Sequence, residues 1–154
     1  MYLWLRLIHI VGAAVLFGTG LGIAYFMLRA HLSRDVRAIA HTARQVVVAD
    51  WLFTATAVVI QPVTGVLLWR EVGYPWDAPW LLLSAALFVL TGACWLPVVW
   101  LQYRMRDMAD AAAAEGTELP AQYRAYFRLW FALGWPALIA VLAIFWLMVF
   151  RPDF

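Results

Sequence analysis

The last long apolar segment of the chain reads LWFALGWPALIAVLAIFWLMVF from Leu129 to Phe150, and it contains no charged residue. A helix needs roughly 20 apolar residues to cross the hydrocarbon core of a bilayer, so this segment predicts a transmembrane helix. Three more segments of the same kind precede it. The predicted spans cover about residues 3–29, 44–70, 78–104 and 124–150.

Composition supports a membrane protein, because 66% of the residues are hydrophobic, 13% are charged and the mean hydropathy is +0.82. Soluble domains carry about 25% charged residues. Four spans in 154 residues leave little chain for a soluble domain, so we predict one four-helix transmembrane domain over residues 1–154. Short connections between consecutive helices favour an all-α, up-down-up-down four-helix bundle.

Local signals refine the predicted helices. The first apolar run, from Leu7 to Leu28, is longer than the apolar region of a secretory signal peptide, so we expect it to be retained as a helix. Within it, Gly18 and Gly22 have the small-xxx-small spacing that lets helices approach closely. An alanine run is expected to extend the third helix until Gly116 ends it.

Arginine placement predicts the orientation in the membrane. All eleven basic residues are arginine, and only three of them, Arg6, Arg70 and Arg151, lie at the end of the bundle that carries the termini. The other eight flank the first and third connections. The positive-inside rule therefore predicts a multi-pass protein of the bacterial inner membrane with both termini on the periplasmic side. Because the arginines lie beside apolar runs, we predict the lipid bilayer as partner and no nucleic acid.

Arg6 and His9 form the most informative polar pair, because they lie one helical turn apart inside an apolar span. Ionisable groups inside a membrane are costly, so such a pair is a functional-site hypothesis by default. Histidine is a common axial ligand of haem iron, and arginine pairs well with carboxylates such as haem propionates. Gly12 and Ala13 share the face of His9 and leave space for a neighbouring helix or a flat porphyrin. The pattern predicts a haem b site with His9 as the metal ligand.

A second interpretation of His9 needs no cofactor. Counted inward from the interfacial residues Trp4 and Trp69, both Thr64 and Gln61 lie at a depth similar to that of His9 on an adjacent helix. A hydrogen bond from His9 to either side chain would be ordinary interhelical packing. In a haem site the same two residues would lie beside the cofactor, so they remain candidate cofactor-binding residues.

Polar residues near the first and third connections, at the end of the spans opposite to His9, lead to two further predictions. Asp50 lies inside the second span, and a buried carboxylate needs a partner, so we predict an interhelical ion pair with Arg128, with proton transfer as the alternative role. His31 and His41 lie beside the arginine-rich first connection. We expect them to be solvated rather than to bind a metal ion.

The residues around His9 also carry a family resemblance. The opening YLWLRLIHI of residues 2–10 resembles the start of HemJ-type protoporphyrinogen oxidases, which carry an arginine or lysine three residues before a histidine. The similarity returns in YFRLWF at 126–131, in Trp135-Pro136 and in FRP at 150–152. The whole chain is similar to an uncharacterised group of predicted bacterial integral membrane proteins in the CopD-like superfamily. The resemblance implies a haem-binding four-helix bundle in which His9 matches the essential first-helix histidine.

The chain departs from the HemJ pattern at polar positions. Leu82-Leu83-Ser84 stands where those proteins carry a lysine, and Ala132-Leu133-Gly134 replaces an asparagine–glutamate pair. We expect a porphyrinogen oxidase to need those groups. Our first hypothesis is therefore a haem b protein that transfers electrons, with a quinone or a redox protein as partner. The alternatives are a protoporphyrinogen oxidase-like enzyme and a cofactor-free structural or accessory subunit. A second copy of the chain, in a homo-oligomer, is a further candidate partner.

Overall fold

Four long helices build the molecule in the computed structural model, which describes residues 1–153. All four are long and apolar enough to cross a membrane, and no strand occurs in the described range. This confirms the predicted all-α four-helix architecture. The elements are α1 (Tyr2–Ser33), α2 (Val36–Ala49), a π-helical segment (Asp50–Ala55), α3 (Thr56–Val72), α4 (Pro79–Glu115) and α5 (Ala121–Phe150), of which α2, the π-helical segment and α3 form one continuous helix.

The connections between the helices are short. Arg34 and Asp35 alone join α1 to α2, and Oδ1 of Asp35 accepts a hydrogen bond of 2.9 Å from the backbone N–H of Arg37. Gly73 ends α3 and Gly116 ends α4, both in the left-handed conformation that glycine adopts most easily, with φ of 76° and 67°. The prediction that Gly116 ends the third membrane helix is confirmed.

The helices extend beyond the predicted spans at the end of the bundle that carries the connections 34–35 and 116–120, called here the arginine-rich end. At this end α2 packs against α4, and the main hydrophobic core is concentrated there. Met105, Ala109 and Tyr123 are fully buried in that core. Close packing is therefore strongest at the arginine-rich end. The opposite end, which carries both termini, is called here the terminal end.

Packing between the helices is uneven elsewhere. α4 packs along α5, and α1 packs along α2, the π-helical segment and α3, but α1 and α5 touch each other at few points. One of these contacts is an edge-on pair of Phe17 and Phe145, with ring centroids 5.4 Å apart. Between the two helix pairs lies a cavity of about 370 Å³.

Gly18 and Gly22 do not mediate helix contact. A Cβ atom added at either glycine would meet no other atom within 4 Å. The predicted close approach of helices at this pair is therefore wrong, because no other helix lies beside either glycine. Close approach occurs instead nearer the terminal end, at Gly12.

Candidate functional site

His9 on α1 is hydrogen-bonded to α3. Its Nδ1 lies 2.8 Å from Oγ1 of Thr64. The side-chain amide of Gln61 donates a 2.9 Å hydrogen bond to the backbone carbonyl of His9. Both Thr64 and Gln61 are buried. The prediction that these three residues meet at one depth on adjacent helices is confirmed.

The hydrogen bonds of Thr64 determine which nitrogen of His9 carries the proton. The Thr64 hydroxyl donates its single proton to the carbonyl of Ile60, at 2.7 Å. This short bond to Ile60 favours the arrangement in which the hydroxyl oxygen accepts from Nδ1–H of His9 and Nε2 carries the lone pair. Nε2 makes no hydrogen bond within residues 1–153. Protein histidines that bind metals are commonly held in this way, with one ring nitrogen donating to a fixed acceptor and the other free to coordinate.

Glycines allow this close contact between α1 and α3. A Cβ atom on Gly12 would lie 2.6 Å from Nε2 of Gln61, and one on Gly65 would lie 3.5 Å from Cε1 of His9. The space beside Gly12 was expected to hold either a neighbouring helix or a porphyrin. It is therefore occupied by the neighbouring helix α3. The predicted residue Ala13 is half-buried, and Arg6 is exposed without an ion pair in the described part of the chain.

Thr64→Val is expected to lower the free energy of unfolding by about 1 kcal/mol, because interhelical hydrogen bonds in membranes contribute on that order. The substitution removes the acceptor of His9 Nδ1 while keeping the shape of the side chain. Thermal unfolding in detergent measures the change. The matched control is Thr56→Val, whose exposed hydroxyl bonds only to Leu52 of the same helix. An equal loss of stability in both variants would contradict the role assigned to Thr64.

Asp50 does not pair with Arg128. The Asp50 side chain is buried, and both of its oxygens accept from Nε1 of Trp95, at 3.2 and 3.1 Å. Arg128 is exposed, because its neighbours Phe127 and Trp130 occupy the buried face of α5. The predicted ion pair is therefore wrong, and a neutral indole N–H takes the place of the expected guanidinium.

The two histidines of the arginine-rich end differ in environment. His41 is exposed, as predicted. His31 is partly buried: its ring stacks on Phe127 with centroids 3.7 Å apart, and its Nδ1 is buried without a hydrogen-bond partner in the described residues. The prediction of a solvated side chain therefore holds only in part for His31, because α1 continues to Ser33 and places this ring against Phe127 of α5. Within residues 1–153, no group of three or more His, Cys, Asp or Glu side chains is placed to hold a metal ion.

Sequence reasoning missed the cavity between the helix pairs. Asp50 and Thr54 of the π-helical segment line it together with residues of α1, α4 and α5. Gly20, Gly92 and Gly134 come from three different helices and all lie on its wall. The available signal was a lone carboxylate in an apolar span combined with glycines in the other three. That combination does not reveal which helix faces meet.

Comparison with known proteins agrees with this architecture. The model of a family described as predicted integral membrane protein (DUF2269) matches residues 3–152. The chain belongs to this family. No curated protein and no solved structure matches the chain. The matched range covers His9, Asp50 and the whole of the cavity wall, so both regions lie within the shared DUF2269 domain.

Proposed function

We propose that this DUF2269 protein binds haem b in the membrane through His9 and takes part in electron transfer. The observation that carries the proposal is the position of the His9 ring: Nδ1 is hydrogen-bonded to Thr64, and Nε2 has no hydrogen-bond partner within residues 1–153. A ring anchored in this way is prepared for coordination, since its tautomer and orientation are set before a metal binds. The donor set therefore fits a haem with one histidine ligand.

Each residue of the site has a distinct role in this proposal. His9 ligates iron through Nε2, while Thr64 holds the ring and Gln61 ties the backbone of α1 to α3. Arg6, which is exposed one turn closer to the terminal end, pairs with a haem propionate. The haem supplies one-electron redox chemistry when bound. Gly12 contributes by allowing helix contact rather than by contacting the ring.

The resemblance of residues 2–10 to HemJ-type proteins supports the same proposal. We also propose that the protein belongs to the CopD-like superfamily and lies in the bacterial inner membrane. The arginine distribution favours an orientation with both termini facing the periplasm. A quinone or a redox protein would then exchange electrons with the haem. The apolar residues that replace the polar positions of HemJ favour electron transfer over oxidation of a porphyrinogen.

A cofactor-free role is the second candidate, and one observation favours it. The hydrogen bond between His9 and Thr64 already gives the imidazole a partner on the neighbouring helix. In this role His9 would stabilise contact between α1 and α3 in a structural or accessory subunit.

A reduced-minus-oxidised absorption spectrum distinguishes the two roles. The protein is expressed with added haem precursor, purified in detergent and shown to be folded by circular dichroism. We expect a b-type spectrum with about one haem per chain. A featureless spectrum from folded protein made under haem-replete conditions would reject haem binding and leave the cofactor-free role.

A further inference from the structure

The cavity between the two helix pairs has the size and location of a ligand site. Its volume is about 370 Å³, within the range of roughly 300–1,000 Å³ that is typical of small-molecule pockets. It lies nearer the arginine-rich end than His9 does, since its wall on α1 begins at Leu16 and runs to Leu28. It is therefore separate from the site at His9.

The cavity wall contains one acidic side chain and no basic one in the described chain. Asp50, 4% exposed, is the single Asp or Glu among the lining residues, and no arginine or histidine of the described chain lines the cavity. Its hydrogen-bond donor is the uncharged indole of Trp95. The charged form of a carboxyl group buried in a membrane without a cationic partner is unfavourable, and a ligand that brings a positive charge would stabilise that form.

The remaining wall suits an organic cation. It is otherwise largely apolar, and its aromatic rings have the electron-rich faces that attract quaternary ammonium and phosphonium groups. Seven aromatic side chains line the cavity, namely Phe17, Tyr25, Phe88, Trp95, Trp130, Phe131 and Trp135. A carboxylate beside several aromatic rings is complementary in both charge and polarity to a hydrophobic cation.

The cavity has an approach from the lipid side. α1 and α5 touch at few points, and Gly20 on α1 and Gly134 on α5 both lie on its wall and are exposed. A Cβ atom at either glycine would meet no other atom within 4 Å, so the approach is open in this structure. Tyr25 and Trp135, also exposed, lie on the same two helices. A membrane-soluble ligand can therefore enter between α1 and α5.

We propose that this cavity binds a hydrophobic organic cation, with the Asp50 carboxylate as its counter-charge and the surrounding aromatic rings as its walls. This binding does not depend on haem at His9. The opposing possibility is a neutral ligand with a hydrogen-bond acceptor, which would suit the Nε1 of Trp130 because this atom has no partner in residues 1–153. The two ligand classes differ in whether affinity depends on Asp50.

Calorimetry with two probes of nearly equal shape tests the proposal. Methyltriphenylphosphonium carries the positive charge, and triphenylphosphine oxide is neutral and offers an acceptor oxygen. In the purified protein we expect the phosphonium to bind more tightly than the oxide. Asp50→Asn should weaken phosphonium binding by at least about 30-fold, as expected when one partner of a buried charge pair is removed. The oxide should bind this variant and the unchanged protein equally.

Asp77→Asn is the matched control, because Asp77 is an exposed carboxylate outside the cavity, and it should leave phosphonium affinity unchanged. If Asp50→Asn does not fold, Gly134→Leu tests the site with Asp50 intact by filling the approach between α1 and α5. It should abolish phosphonium binding, whereas Gly18→Leu, outside the cavity wall, should not. Equal affinity for the two probes, or unchanged phosphonium affinity in Asp50→Asn and Gly134→Leu, would overturn the proposal.

Discussion

Replacing His9 by alanine is expected to remove the b-type absorption spectrum from the purified protein. His9 is the proposed iron ligand, and loss of even an outer-shell partner of a metal ligand commonly costs 10–100-fold in affinity, so loss of the ligand itself should cost more than about 100-fold. The measurement is the reduced-minus-oxidised spectrum together with the ratio of haem to protein.

Two controls make this result specific to iron ligation. His41→Ala removes a histidine that is exposed, and it should retain the full spectrum. Adding imidazole to His9→Ala should restore part of the spectrum, because free imidazole can occupy the space left by the ring. A haem spectrum that persists in His9→Ala would assign the iron to another ligand and refute the role of His9.

Substituting Gly12 by leucine is expected to lower the free energy of unfolding by about 2–4 kcal/mol. A Cβ atom at this position would lie 2.6 Å from Nε2 of Gln61, so the larger side chain must displace the amide. The estimate combines the usual cost of overpacking, about 1–3 kcal/mol, with loss of the interhelical hydrogen bond to His9, about 1 kcal/mol. Unfolding in detergent at increasing temperature or denaturant measures the change.

Gly18→Leu is the comparison for Gly12→Leu, because it introduces the same side chain on the same helix. At Gly18 an added Cβ atom would meet no other atom within 4 Å. It should change the free energy of unfolding by less than about 0.5 kcal/mol. The double variant Gly12→Leu with Gln61→Ala should recover part of the lost stability, since the shortened side chain makes room. Similar losses in Gly12→Leu and Gly18→Leu would show that the contact with Gln61 is unimportant.

The membrane architecture could be predicted from the sequence because bilayer thickness imposes a length on each apolar segment. The segment from Leu129 to Phe150 has no charge, and a chain in lipid must satisfy its backbone hydrogen bonds within the helix. The pairing of His9 with Thr64 and Gln61 was predictable for a related reason. Depth in a membrane can be counted from interfacial tryptophans, and adjacent helices place residues of equal depth side by side.

Which residues of neighbouring helices contact each other was harder to predict from the sequence. Arg128 lies at a suitable depth for Asp50, but it is on the exposed face of α5, and Trp95 of α4 is the neighbour instead. The glycine pair at Gly18 and Gly22 resembles a contact motif, yet the helix contact occurs at Gly12. The rotation of each helix about its axis decides such contacts. Because a membrane helix is apolar all around, its sequence gives little indication of that rotation.

The sequence by itself determined that the chain folds as four membrane helices and that His9 lies at a depth similar to that of Thr64 and Gln61, because hydrophobic length and depth are properties of each segment alone. Tertiary structure alone decided that Nδ1 of His9 is the nitrogen bonded to Thr64, that Gly12 lies against Gln61 and that Asp50 borders a cavity. These features depend on the rotation and spacing of whole helices. Many side-chain contacts fix that arrangement together, so no local pattern in the chain could show it.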